Sequence, residues 1–166
     1  FSYTGKSTIS SSPGCGLDIE PETGECQNGF FTNCKFENNT GYAFGSEYYS
    51  LKTEKIVFQN CVFGGTTNGA LFPNNGGLEF NNCTIYGQIV RPGGVNSTIR
   101  VVIKNSKLYD YNPFTQSPLK FATNHLIDAG GHKSFFDFIN CDFFIRKVKL
   151  CYIETGVFAK SDIPSF

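Results

Sequence analysis

The chain predicts an all-β solenoid, a right-handed parallel β-helix of about five coils with an asparagine ladder, on three observations. A short frame recurs along the sequence, the apolar spacing inside each copy demands a turn, and a second strand-like column precedes four of the copies. The frame is aromatic-x-Asn-Cys-x-apolar in four copies, with Asn105-Ser106 as a fifth. It reads Phe31-Thr32-Asn33-Cys34-Lys35-Phe36, Phe58-Gln59-Asn60-Cys61-Val62-Phe63, Phe80-Asn81-Asn82-Cys83-Thr84-Ile85, Ile103-Lys104-Asn105-Ser106-Lys107-Leu108 and Phe138-Ile139-Asn140-Cys141-Asp142-Phe143. From Asn33 to Asn60, Asn82, Asn105 and Asn140 the intervals are 27, 22, 23 and 35 residues, a period that tolerates insertion.

Within a copy, Phe31 and Phe36 are five apart, so an uninterrupted strand would send them to opposite faces. A left-handed backbone at the asparagine resets the alternation, and asparagine tolerates that conformation better than any residue but glycine. Phe31, Cys34 and Phe36 then face inward, with Thr32 and Lys35 outward. Stacking this turn coil upon coil places Asn33, Asn60, Asn82, Asn105 and Asn140 in one column at about 4.8 Å per rung, where amides can bond from rung to rung.

The second column comprises Gly16-Leu17-Asp18-Ile19-Glu20-Pro21, Gly41-Tyr42-Ala43-Phe44-Gly45, Gly69-Ala70-Leu71-Phe72-Pro73 and Gly87-Gln88-Ile89-Val90-Arg91-Pro92. Glycine opens each segment at a corner, and proline closes three of them, where ladder pairing stops. Lys147 to Ile153 alternates polar and apolar residues, as a strand does, and no stretch has helical apolar spacing. The domain boundaries follow: residues 1–13 are an irregular lead-in, 14–153 the β-helix, and 154–166 a tail or a connection to a following segment.

Composition narrows the function. The 166 residues, 40% hydrophobic, suffice for one continuous core, and 18 Phe with no Trp and no Met suggest that stacked rings fill it. Charge balances at 14 against 14 without a basic run, which argues against a nucleic-acid groove or an anionic membrane surface, and the apolar runs are too short to insert into a membrane. Of the seven cysteines, Cys34, Cys61, Cys83 and Cys141 share one repeat position and are expected as buried free thiols, because a parallel ladder suits disulfide geometry poorly. Cys15 and Cys26 are the pair better placed for a bridge. No zinc spacing is present, so no metal site is assigned and no cofactor is expected; Ca²⁺ is the one ion an acidic β-helix loop could hold. The missing initiator Met and the Ser/Thr-rich lead suggest a piece of a longer polypeptide.

The candidate chemistry sits in the acidic segment. With Leu17 and Ile19 inward, Asp18 and Glu20 share the outer face about 7 Å apart, a separation that suits the acid and the base or nucleophile of glycoside hydrolysis. Aligning the columns on their glycines sets Ala43 and Gly45 beside Asp18 and Glu20 as an open floor. Glu22, Tyr42, Tyr48, Tyr49 and Arg91 are the candidate substrate-binding residues, the tyrosines by stacking on sugar rings and Arg91 by holding a substrate carboxylate. Two bland alternatives stand beside this: an ordinary solvated strand for the acids and rung-edge packing for the tyrosines. Asp110 reads as a loop residue, and His125 and His132 as structural or solvent-facing.

The Asn and Cys columns resemble the right-handed parallel β-helix proteins of the pectate-lyase-like kind, which include viral tailspikes and polysaccharide-degrading enzymes. The string Gly16-Leu17-Asp18-Ile19-Glu20-Pro21 is similar to strings in phage and bacterial β-helix proteins related to glycoside hydrolases. The resemblance implies a tailspike- or tail-fibre-like segment, located in a virion tail or outside the cell, that recognises a bacterial surface glycan. Cleavage of that glycan, by a hydrolase or lyase reaction at Asp18 and Glu20, is the enzymatic form of the expectation. It also implies a homotrimer. The alternative is a non-enzymatic structural or adhesive β-helix of a virion or cell surface.

Overall fold

A computed structural model describes residues 14–19, 28–46, 56–65, 69–73, 77–90, 99–128 and 134–152. Glu20, Glu22, Tyr48, Tyr49, Arg91, Cys26, His132, the lead-in and the tail lie outside the described residues. Three short strands make each coil. The first coil is β1 (Leu17–Ile19), β2 (Phe30–Thr32) and β3 (Lys35–Phe36), and the second is β4 (Phe44–Ser46), β5 (Ile56–Gln59) and β6 (Val62–Gly64). The third is β7 (Leu71–Pro73), β8 (Leu78–Asn81) and β9 (Thr84–Tyr86), and the fourth is β10 (Ile89–Val90), β11 (Ile99–Lys104) and β12 (Lys107–Tyr109). The fifth is β13 (His125–Asp128), β14 (Ser134–Ile139) and β15 (Asp142–Phe144), after which β16 (Lys149–Tyr152) begins another turn of the stack.

Equivalent strands pair in parallel to form three sheets: β1-β4-β7-β10-β13-β16, β2-β5-β8-β11-β14 and β3-β6-β9-β12-β15. The fold is a parallel β-helix, and the described residues contain no helix. No described helix is therefore long and apolar enough to cross a membrane.

The turn between the second and third sheets forms as the apolar spacing requires. Asn33, Asn60, Asn82, Asn105 and Asn140 all have φ between 50° and 56°, the left-handed region. Backbone bonds hold these turns in register, with the amide N–H of Asn33, Asn60, Asn82 and Asn105 donating to the carbonyls of Gln59, Asn81, Lys104 and Ile139 on the next coil. Side-chain amides join Asn82 to Asn60 at 2.7 Å and Asn140 to Asn105 at 3.5 Å. Asn105 instead donates to Asn81 Oδ1 at 3.0 Å, so the bonding shifts sideways by one residue at the third coil. The sequence allows the shift because positions 81 and 82 both carry amides.

Inside, rings repeat at the rung spacing. Phe31, Phe58 and Phe80 stack with centroids 5.0 Å apart at each step, and Phe36 stacks on Phe63 at 5.1 Å. Edge-on contacts knit the columns together, Phe63 meeting Phe58 at 5.2 Å and Phe80 at 5.3 Å. Beside them stand Cys34, Cys61, Cys83, Ser106 and Cys141, and the four cysteines are free. Cys61, Cys83 and Cys141 each donate to two carbonyls, one two residues back and one on the preceding coil. Cys61 and Cys83 are buried, whereas Cys34 and Cys141, in the first and last described rungs of the column, are half-buried. Burial pushes the Cys83 thiol up to about 12.

The first sheet corrects one register. Leu17 pairs with Phe44 and Asp18 with Gly45, so aligning the columns on Gly16 and Gly41 misplaces the acids by two residues. The Leu17 N–H donates to the Ala43 carbonyl, and the Gly41 N–H to that of Gly14. Ala43 is wholly buried at the corner and forms no floor beside Asp18. A shift of two residues keeps the same side chains inward, and the observed register sets Phe44 over Leu17 in the core column.

Candidate functional site on the third sheet

The third sheet carries a row of rings on its outer face. Its register aligns Gly64, Tyr86, Tyr109 and Phe144, each four residues after a turn asparagine, while Phe63, Ile85, Leu108 and Phe143 of the same strands form the inner column. Tyr109 and Phe144 stack with centroids 4.6 Å apart and planes 8° from parallel. Tyr86 lies over Gly64, where any side chain would meet its phenol ring and hydroxyl. The Tyr86 hydroxyl donates to Glu37 Oε1 at 2.7 Å, and burial together with that bond raises its pKa. The Tyr109 pKa is raised as well, by burial first and then by Tyr111 and Asp142.

A loop over residues 110–124, the cause of the long interval before Asn140, completes this face. Asn112 Oδ1 accepts the N–H groups of Phe114 and Thr115, an Asx turn, and Tyr111 forms an antiparallel bridge with Pro118. Gln116, with φ of 60°, reaches back to the Pro113 carbonyl at 2.7 Å. The far limb is tied down by buried Gln88, whose Nε2 donates to Thr123 Oγ1 and the His125 carbonyl while its Oε1 accepts from the Ala122 N–H. So held, the loop sets Phe114 edge-on to Tyr86 at 6.0 Å, and the Lys35 ammonium lies 5.6 Å from the Phe114 centroid. Tyr111 meets Tyr109 edge-on at 5.4 Å, and the Arg146 guanidinium lies 3.4 Å from the Tyr111 centroid while bonding Gln116 Oε1 at 2.6 Å. Phe114 remains 60% exposed and Phe144 38%.

Asp110 anchors the near limb. It is 4% exposed, and its Oδ2 accepts the N–H groups of Arg146, Lys147 and Val148 at 2.9, 2.6 and 3.2 Å. A loop residue by position, it is a buried clamp between two coils. Beside it a cavity of about 180 Å³ opens between the loop and residues 146–148.

The acidic segment is described only in part. Asp18 is exposed on the outer face of the first sheet, as expected, and a Cβ added at its neighbour Gly45 would meet Asp18 Oδ1 at 3.3 Å and Cys15 Sγ at 3.1 Å. Tyr42 is half-buried and stacks on Phe72 at 4.6 Å, so it packs along the rungs; burial and then Cys15 raise its pKa. Among the described residues no three His, Cys, Asp or Glu side chains form a metal-ligating group.

The ring row escaped a reading that followed strands one at a time. Its signal is in the sequence nonetheless, since the fourth residue after each turn asparagine reads Glu37, Gly64, Tyr86, Tyr109 and Phe144. The geometry defines a parallel β-helix with an aromatic outer face. No protein-family model, curated protein or solved structure matches the chain.

Proposed function

We propose that this chain is the glycan-recognising β-helix of a tailspike- or tail-fibre-like protein, binding a bacterial surface polysaccharide across the outer face of its third sheet. The observation that carries the reading is the Tyr109–Phe144 stack, with Tyr111 edge-on to Tyr109 and exposed Phe114 edge-on to Tyr86 on the same face. Aromatic faces suit the C–H faces of pyranose rings, while the tyrosine hydroxyls, Gln116 and Arg146 supply polar edges for sugar hydroxyls. The free thiols accord with folding in a reducing cytoplasm before release in a virion. The test is titration of purified chain with capsular polysaccharide and lipopolysaccharide. Phe114→Ala with Phe144→Ala should weaken binding by about tenfold or more. No polysaccharide binding by the wild type, or wild-type affinity in the double variant, defeats the reading.

Cleavage at Asp18 and Glu20 is a second reading, favoured by exposed Asp18 beside the bare Gly45 backbone. In that case Asp18→Asn lowers the release of reducing ends by orders of magnitude and leaves the melting temperature unchanged. Full activity in Asp18→Asn removes that residue from the chemistry.

A further inference from the structure

We propose that the glycan is acidic, and that the cavity between the loop and residues 146–148 is the subsite for one of its anionic sugar residues, held through a carboxylate or phosphate group by Arg146 and Lys147. That the anion belongs to a glycan rests on the reading above; the anion site itself rests on the charge and shape of the cavity. Its volume, about 180 Å³, admits one six-membered ring, since a cavity of about 150 Å³ takes benzene. Pro118, Leu119, Phe121 and Val148 give it apolar walls for the C–H faces of that ring.

The charge of the lining decides the class of sugar. Arg146 and Lys147 stand against one carboxylate, that of Asp110, which is withdrawn from any ligand because Oδ2 accepts three backbone N–H groups and Oδ1 is buried. Both cations are exposed and make no ion pair among the described residues. Along the strands of the third sheet the outward charges balance, Lys35 and Lys107 against Glu37 and Asp142, so the positive excess of this face lies on the cavity side. Arg146 is also fixed in advance. Its guanidinium lies 3.4 Å from the Tyr111 centroid and donates from Nη2 to Gln116 Oε1 at 2.6 Å, so an anion meets a planar fork already in place and little side-chain freedom is lost on binding. A carboxylate or phosphate gains charge-assisted bonds there that a sugar hydroxyl does not match. Tyr111 belongs both to this cavity and, through Tyr109, to the ring row, so the subsite is continuous with the outer face.

The test follows backbone amides by nuclear magnetic resonance during titration with methyl glucuronide, with glucose 6-phosphate and, as the neutral control, with methyl glucopyranoside. At least one of the two acidic sugars should shift the Arg146, Lys147 and Val148 amides saturably, about tenfold or more tightly than the neutral glycoside, and the one that does so names the anionic group. Arg146→Gln, which keeps the backbone clamp on Asp110, should weaken that sugar by about tenfold or more. Lys149→Gln removes the same charge outside the cavity and should leave its affinity unchanged. Absence of saturable shifts from both acidic sugars, equal affinity for the neutral glycoside, unchanged affinity in Arg146→Gln, or an equal loss in Lys149→Gln overturns the subsite. The comparison of sugars on the wild type holds even if Arg146→Gln fails to fold. Phe114→Ala with Phe144→Ala should leave the acidic-sugar shifts intact. Polysaccharide binding that persists without acidic-sugar shifts therefore defeats the subsite alone, and acidic-sugar shifts without polysaccharide binding defeat the ring-row reading alone.

Discussion

The solenoid carries two columns of stacked rings, one inside its first three coils and one outside its fourth and fifth. Phe31, Phe58 and Phe80 stack at 5.0 Å per step within the core, and Tyr109 stacks on Phe144 at 4.6 Å on the outer face of the third sheet. Both spacings come from the backbone, because parallel strands hold equivalent residues one rung apart. What differs is the surroundings. Phe58 and Phe80 are wholly buried among other rings and aliphatic chains, whereas Tyr109 and Phe144 adjoin Tyr111 and Asp142 and keep part of their surface in water. One periodic device thus supplies stability inward and a surface for recognition outward.

That contrast can be broken experimentally, beginning inside. Phe58→Ala removes a ring in contact with Phe31, Phe36, Phe44, Phe63 and Phe80, and should cost about 3–5 kcal/mol in urea unfolding. A loss below about 1 kcal/mol would show that the column does not support the stack. The Cys83 thiol, its pKa pushed up to about 12, should be alkylated at pH 8 roughly a thousandfold more slowly than an unperturbed thiol, judged by mass spectrometry of intact protein. Equal labelling of Cys83 in native and denatured protein would contradict its burial.

Between core and surface stands the clamp. Asp110→Ala leaves the N–H groups of Arg146, Lys147 and Val148 without their shared acceptor and should cost about 2–3 kcal/mol, measured by thermal unfolding. Asn82→Ala forces a Cβ residue without a helpful amide into the left-handed turn, at about 1–2 kcal/mol, while Asn82→Gly should cost less. If the two substitutions are equal, the amide bond to Asn60 outweighs the backbone conformation. The smallest change in stability, within about 0.5 kcal/mol, is expected for exposed Phe114→Ala, whose effect should appear in glycan affinity.

The coil could be read from the sequence because its determinants are local. Asn33 and its equivalents reset the side-chain alternation within six residues, so each frame announced its own turn and its inward phenylalanines. The outer face depends on comparisons between coils, and Tyr86, Tyr109 and Phe144 look unrelated until the frames are superposed. The register of Asp18 was misread because glycine marks corners without fixing an offset, and an offset of two residues leaves the inward and outward faces unchanged. Asp110 was the hardest to see. Its role depends on the turn at residues 146–148, one coil away, and no spacing rule connects the two.

The loop over residues 110–124 also alters how the stack should come apart. A solenoid whose coils touch only their neighbours can fray from either end, each coil opening almost independently. Here one segment reaches Lys35 in the first coil, Tyr86 and Gln88 in the third and fourth, and Arg146 in the fifth. It acts as a brace across most of the described height, coupling coils that share no ladder. Amide hydrogen exchange along the third sheet should therefore report a single opening event, and cutting the loop by proteolysis should return the stack to opening coil by coil.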